Sequence, residues 1–261
     1  MIAALGLMRR SLETQAAYTL ARLRLLARLP GNPFGVVWRQ IGEGCIAAMA
    51  RQLPLSPLNR VCGLGAGSAA EIEPLRAWYE EAGVRGRFDT HPGAYDPALQ
   101  HELTRLGYYQ SHFEVCLACP PQRRPADAAA AVERLASAAR LDTWLAACGQ
   151  SLAKAAPPML AMLRAGLNDP DWSIYLAAQA GQAAAAVMFR RQAFAHCELL
   201  AGSAAPEQGL ERALFSRVLA DAGEAGVDFV LSEADLLSQR HYSLIAMSCK
   251  VVFVRAAWSR L

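Results

Sequence analysis

The stretch with the most consequence for the fold runs from residue 193 to residue 233: "AFAHCELLAG", then "SAAPEQGLERALFSRVLADAGEAG", then "VDFVLSE". An apolar run of strand length meets a turn with one glycine, a long amphipathic helix follows, and a second apolar run closes the unit. Ahead of it, "WSIYLAAQ", the turn "AGQ" and "AAAAVMFRRQ" read as a β-hairpin. Behind it come "SQRHYSLIAMSC" as a helix and "KVVFVRAAW" as a strand. The order is β-β-β-α-β-α-β, and a strand–helix–strand unit after a hairpin sheet implies a mixed α/β or α+β sheet.

The first half has a comparable plan. A helix over about residues 7–29 is closed by "PGNP". "FGVVWRQIG" and "GCIAAMAR" read as two strands with glycines between them, and "LNRVCGLG" as a third. The helix "AAEIEPLRAWYEEAG" starts near Ser68 and stops at Gly83; "VRGRFDT" is a short strand. "DPALQHELTRLG" is a helix with Asp96 as N-cap and Gly107 as its stop, and a strand starts at Tyr108. "PPQRRPAD", with three prolines and no apolar anchor, is the linker. "AAAAVERLASAARLDTWLAACGQ" reads as helix on propensity alone, and "AAPPMLAMLRAGLNDP" as a short helix. These boundaries divide the chain into 1–119, a linker over 120–127, and 128–261.

Bulk properties narrow the function. The 261 residues are 54% hydrophobic, enough for a substantial core. A net charge of +3 is too small to argue for nucleic acid or an anionic membrane as partner. The start is apolar only as far as Met8 before two arginines, without the charge order of a signal peptide, and no run of membrane-spanning length is uninterrupted. A cytoplasmic protein is expected. Seven scattered cysteines argue against a disulfide framework. "CLAC" at Cys116–Cys119 lacks a second pair for zinc, so both cysteines are expected as core thiols with no metal site.

The C-terminal order, with its glycine turn between third strand and long helix, resembles the GNAT superfamily of acyl-CoA-dependent N-acetyltransferases. The whole chain resembles a tandem subgroup with a divergent N-terminal half, on the residues "LPGNPFGV", "LNRVCGLG", "WYEEAGV", "LTRLGYYQ", "WSIYLAAQAGQAAAA", "GLERAL", "SQR" and "VFVRAAW". The resemblance implies an α+β (mixed α/β) chain of two GNAT-like halves, each a mainly antiparallel twisted sheet flanked by helices. It implies acetyl-CoA, or another acyl-CoA, as cofactor, and a small-molecule amine as acceptor.

In that superfamily a loop Q/R-x-x-G-x-G/A at a helix start binds the cofactor's pyrophosphate, because unpaired amides and the helix dipole favour an anion there. Laid on this sequence, the loop is residues 206–211. Gly209 matches; Pro206 and Glu211 depart from the pattern. The implied cofactor set is Leu200 and Ala201 at the strand end, then Glu207, Gln208, Gly209, Leu210, Glu211 and Arg212. A lost charged hydrogen bond to phosphate is worth roughly 1.5–3 kcal/mol, so weakened binding is expected. Proline and glutamates in a first turn also suit an ordinary helix with no ligand.

Acetyl transfer needs a base for the ammonium proton and an acid for the leaving thiolate. The resemblance assigns these roles to Glu198 on "HCELLAG" and Tyr242 on "SQRHYSLIAM". Solvent exposure or pairing with an arginine is the plain alternative for Glu198, and packing for Tyr242. The family's helix Asn and its Gly-Phe before the last strand are replaced by Ser243 or His241 and by Ser248-Cys249. A thiolate route through Cys197 or Cys249 lacks a Cys-His-Asn/Asp set. "GLGAGSAAEIEPL" lacks the spacing of a dinucleotide fingerprint. Two functions stand: an acetyl-CoA-dependent N-acetyltransferase, or a catalytically degenerate GNAT-fold protein that serves as a binding or partner module.

Overall fold

The computed structural model describes residues 2–41, 44–53, 58–122, 132–147, 157–179, 182–201 and 208–260. They form two compact units, one of Met1–Cys116, Ala234–Ser238 and Val251–Leu261, the other of Leu117–Glu233 and Gln239–Lys250.

The first unit holds α1 (Ile2–Ala27), β1 (Val36–Ile41), β2 (Cys45–Ala50), β3 (Arg60–Cys62), α2 (Ala69–Glu81), β4 (Arg87–Thr90) and α3 (Pro97–Arg105), with most of β5 (Tyr109–Cys119) and of β11 (Lys250–Ser259). Its strand order is β1-β2-β3-β4-β11-β5. Hairpin neighbours run antiparallel, whereas β3 and β4, joined through α2, run parallel. Expected helix starts and stops are present. Asp96 caps α3 by accepting the Ala98 amide at 2.9 Å, and Gly83 ends α2 in the left-handed region that a Cβ disfavours. Val61, Phe88 and Trp258 pack with Ile72, Trp78 and Leu103 of α2 and α3.

Residues next to these core positions carry charge. Arg60, Arg87, Asp89, Glu114 and Arg255 form a largely buried lattice. Arg87 lies 2.8 Å from Asp89 and 2.9 Å from Glu114, Arg60 pairs with Asp89, and Arg255 pairs with Glu114. Alternation along a strand sends successive side chains to opposite faces, so one sheet presents an apolar face and an ionic one.

The second unit holds β6 (Val132–Arg134), α4 (Ala138–Ala147), α5 (Pro157–Gly166), β7 (Trp172–Gln179), β8 (Gln182–Arg191), β9 (Phe194–Ala201), α6 (Gln208–Glu224), most of β10 (Phe229–Asp235) and α7 (Gln239–Ala246). Its order is β10-β9-β8-β7-β6. Leu210, Leu214, Val218 and Ala222 recur along α6 at helical spacing and are buried where it packs on β7, β8 and β9. Asp221 fastens it, accepting from the buried Tyr175 hydroxyl at 3.0 Å and from Arg217 at 2.7 Å. Each unit is thus a mainly antiparallel sheet flanked by helices, the expected mixed α/β class.

Two expectations fail. The single helix read over 128–150 contains strand β6, whose Val132, Glu133 and Arg134 pair with Ala177, Leu176 and Tyr175. Helix propensity is worth tenths of a kcal/mol per residue and loses to a sheet edge that offers ladder bonds. The cysteines are not all thiols either: Cys119 at the end of β5 is bonded to Cys249, with Cα atoms 4.3 Å apart, while Cys116 is free and buried. Most of the 120–127 linker lies outside the described residues. Among the described residues no helix is long and apolar enough to cross a membrane.

Candidate functional site

The parallel ladder between β9 and β10 is short. It runs from Phe194↔Phe229 to Cys197↔Ser232 and stops, although β9 continues to Ala201 and β10 to Asp235. Beyond Cys197, β9 holds its antiparallel register with β8 among the described residues, with Glu198 opposite Val187, Leu200 opposite Ala185 and Ala201 opposite Ala184. The Ser232 hydroxyl donates to the Cys197 carbonyl at 3.1 Å across the last rung. Where a parallel ladder ends inside two longer strands, edge backbone groups become a place where a ligand can bond to main chain.

The connection from β9 leads to the start of α6. Pro206 and Glu207 lie outside the described residues, and Gln208 is the first described residue of the helix. Gly209 is exposed, and a Cβ placed on it would meet nothing within 4 Å. Leu210 is buried in the core and Arg212 points to solvent. Glu211 does neither. Only 9% exposed, its carboxylate accepts from Arg240 Nη2 at 2.6 Å. A guanidinium thus neutralises the charge that Glu211 brings to this helix start.

Arg240 escaped sequence reasoning, although a signal was present. It stands in the first turn of α7, where a cation opposes the helix dipole and calls for a carboxylate partner. Which carboxylate, 29 residues away, only packing decides. The Cys197 thiol is pushed up by burial, and the charge of Arg240 pulls it partly back. A thiol so held is no nucleophile near neutral pH, and Cys249 is committed to its disulfide.

The two candidate catalytic residues lie on different elements. Glu198 is half-buried on β9, the first residue past the last parallel rung. Tyr242 on α7 is 56% exposed, its ring stacked on buried His241 with centroids 5.4 Å apart.

The first unit has its own glycine-bearing turn between β3 and α2, and there internal groups satisfy the amides. Gly65 N–H donates to Ser68 Oγ at 3.1 Å and Gly67 N–H to Asp96 Oδ2 at 2.9 Å. It is a plain turn closed by Ser68 and by the N-cap carboxylate of α3. Elsewhere in this unit His112, Glu114 and Asp235 bring ligand-type atoms within 4.8 Å of one another. Arg87 Nη1 already contacts Glu114 at 2.9 Å and His112 at 3.2 Å, so a guanidinium serves as the cation there.

No family model and no curated protein matches this sequence. Solved structures do match in fold. A GCN5-related N-acetyltransferase from Kribbella flavida aligns with TM-score 0.62 and 15% identity, covering 94% of this chain and 95% of that one. A tandem GNAT protein from the clavulanic acid biosynthesis pathway aligns at 0.52 and 12%, covering 93% and 94%. A GCN5-related N-acetyltransferase from Sphaerobacter thermophilus aligns at 0.52 and 15%, covering 74% and 68%. The parting parallel strands, the crossover helix that starts beside them and these likenesses agree: the chain has the fold of the GCN5-related N-acetyltransferases.

Proposed function

We propose that the chain is an acetyl-CoA-dependent N-acetyltransferase whose site lies at the parting of β9 and β10. The observation that carries this reading is the ladder that ends at Cys197↔Ser232 beside the start of a 17-residue helix. The residues present fit an acyl-CoA in that the Gly209 position is open above the helix start, and β9 past its last parallel rung would supply main-chain groups. Gly209, Leu210, Glu211 and Arg212 would hold the diphosphate through their amides, and Leu200 and Ala201 would flank the rest of the chain. The bound acyl-CoA supplies a thioester carbonyl for direct attack by the acceptor amine, with no covalent enzyme intermediate. Glu198 takes the ammonium proton and Tyr242 returns a proton to the thiolate.

A second reading, a GNAT-fold binding module without acetyl transfer, is favoured by one observation. The family's small residue at the loop's last position is here Glu211, buried and paired with Arg240. Calorimetric titration with acetyl-CoA separates the two. Micromolar to sub-millimolar binding, lost in Gly209→Glu, supports the enzyme; absence of binding at millimolar acetyl-CoA leaves the binding module. The amine remains to be found by screening acceptors under saturating acetyl-CoA.

A further inference from the structure

Glu211 and Arg240 are held together where three positive features converge. Glu211 lies in the first turn of α6, and Arg240 in the first turn of α7. Each helix presents the positive end of its dipole there, and the guanidinium adds a full charge. One carboxylate, 11% exposed at the side chain, serves all three, 2.6 Å from a guanidinium that is 31% exposed. Arg240 also acts on the Cys197 thiol, so its charge is felt at the rung where β9 and β10 part.

A carboxylate is a smaller and less charged anion than a diphosphate. Guanidinium offers five N–H donors in a planar fork that suits phosphate oxygens, and phosphate accepts more of them than one carboxylate oxygen does. An entering diphosphate at the α6 start therefore competes with Glu211 for the same cation. We infer that Arg240 is a diphosphate-binding residue kept in place by Glu211, and that acyl-CoA binding exchanges the Glu211–Arg240 ion pair for an Arg240–diphosphate one. This inference rests on the acyl-CoA reading above. It assigns the cofactor contact that Pro206 cannot make to a residue on another helix.

The test compares acetyl-CoA with S-acetylpantetheine, which lacks the diphosphate, on wild type, Glu211→Gln and Arg240→Gln, with thermal unfolding as a folding control. Removing the competitor should tighten acetyl-CoA about tenfold in Glu211→Gln, and removing the cation should weaken it about tenfold in Arg240→Gln, each the size of one charged hydrogen bond. Affinity for S-acetylpantetheine should be the same in all three. Should either glutamine variant fail to fold, Glu211→Ala and Arg240→Lys repeat the comparison, the lysine giving an intermediate affinity. Wild-type binding with both variants shifted the same way, or neither shifted, overturns the inference and leaves the acyl-CoA reading intact; tightening in both means the pair is only a steric plug. Failure of acetyl-CoA to bind any of the proteins overturns the acyl-CoA reading and the exchange with it.

Discussion

Breaking the Cys119–Cys249 bond is the perturbation whose size follows most directly from the structure. The two residues are 130 apart in sequence and both are buried. In the loop-entropy model, cross-linking a loop of that length removes about 16–17 cal/mol/K from the unfolded chain, or about 5 kcal/mol at 25 °C. Residual structure in the denatured chain reduces this, so Cys119→Ala/Cys249→Ala is expected to lose about 2–5 kcal/mol. Alanine leaves no polar group in the buried site. Urea unfolding of wild type and variant, each with and without a phosphine reductant, reads the effect. Oxidised wild type should have the highest midpoint and the smallest m-value, because its denatured state stays cross-linked and exposes less surface. Reduced wild type should fall to the variant, and the variant should ignore the reductant. The reasoning fails if the variant unfolds at the oxidised wild-type midpoint, or if denatured, unreduced protein shows all seven cysteines as reactive thiols.

Two further outcomes follow from buried groups. Burial alone would raise the Glu114 carboxyl, but Arg255, Arg60 and Arg87 overcome it and hold the group well below the usual carboxylate range. Its contribution is therefore present above the unfolded value of about 4.3 and is lost as pH falls further. Glu114→Gln should lower neutral stability by about 3–5 kcal/mol, the cost of breaking a buried pair, and flatten the stability profile below pH 5; two parallel profiles would count against it. In α6, a Cβ on Gly223 would sit 2.8 Å from the Gln122 carbonyl oxygen, whereas one on Gly209 meets nothing. Gly223→Ala should thus lower the melting temperature, and Gly209→Ala should leave it unchanged or raise it. A melting temperature that does not separate the two would contradict this packing.

Patterns that depend on neighbours in sequence were legible in this chain. The strand–helix–strand unit over 193–233, the capping of α3 by Asp96 and the stop of α2 at Gly83 each follow from local periodicity and backbone chemistry. The proposed site rests on the same local patterns, since it is placed at the end of β9 and the start of α6. Its charge balance was not legible. Glu211 read alone is an acid at an anion site, and only the packing of α7 supplies Arg240. Likewise, Val132–Arg134 lies in an alanine-rich stretch that reads as helix and becomes a strand because β7 offers a ladder. Cys119 and Cys249, unremarkable among seven cysteines, bond because the end of β5 and the turn after α7 meet. Local propensities amount to tenths of a kcal/mol per residue, while a ladder, a buried ion pair or a cross-link amounts to several. The sequence by itself determined most of the elements and their order; the tertiary structure decided that Val132–Arg134 is a strand and which distant residues meet, and so which charges face the helix start where the site is proposed.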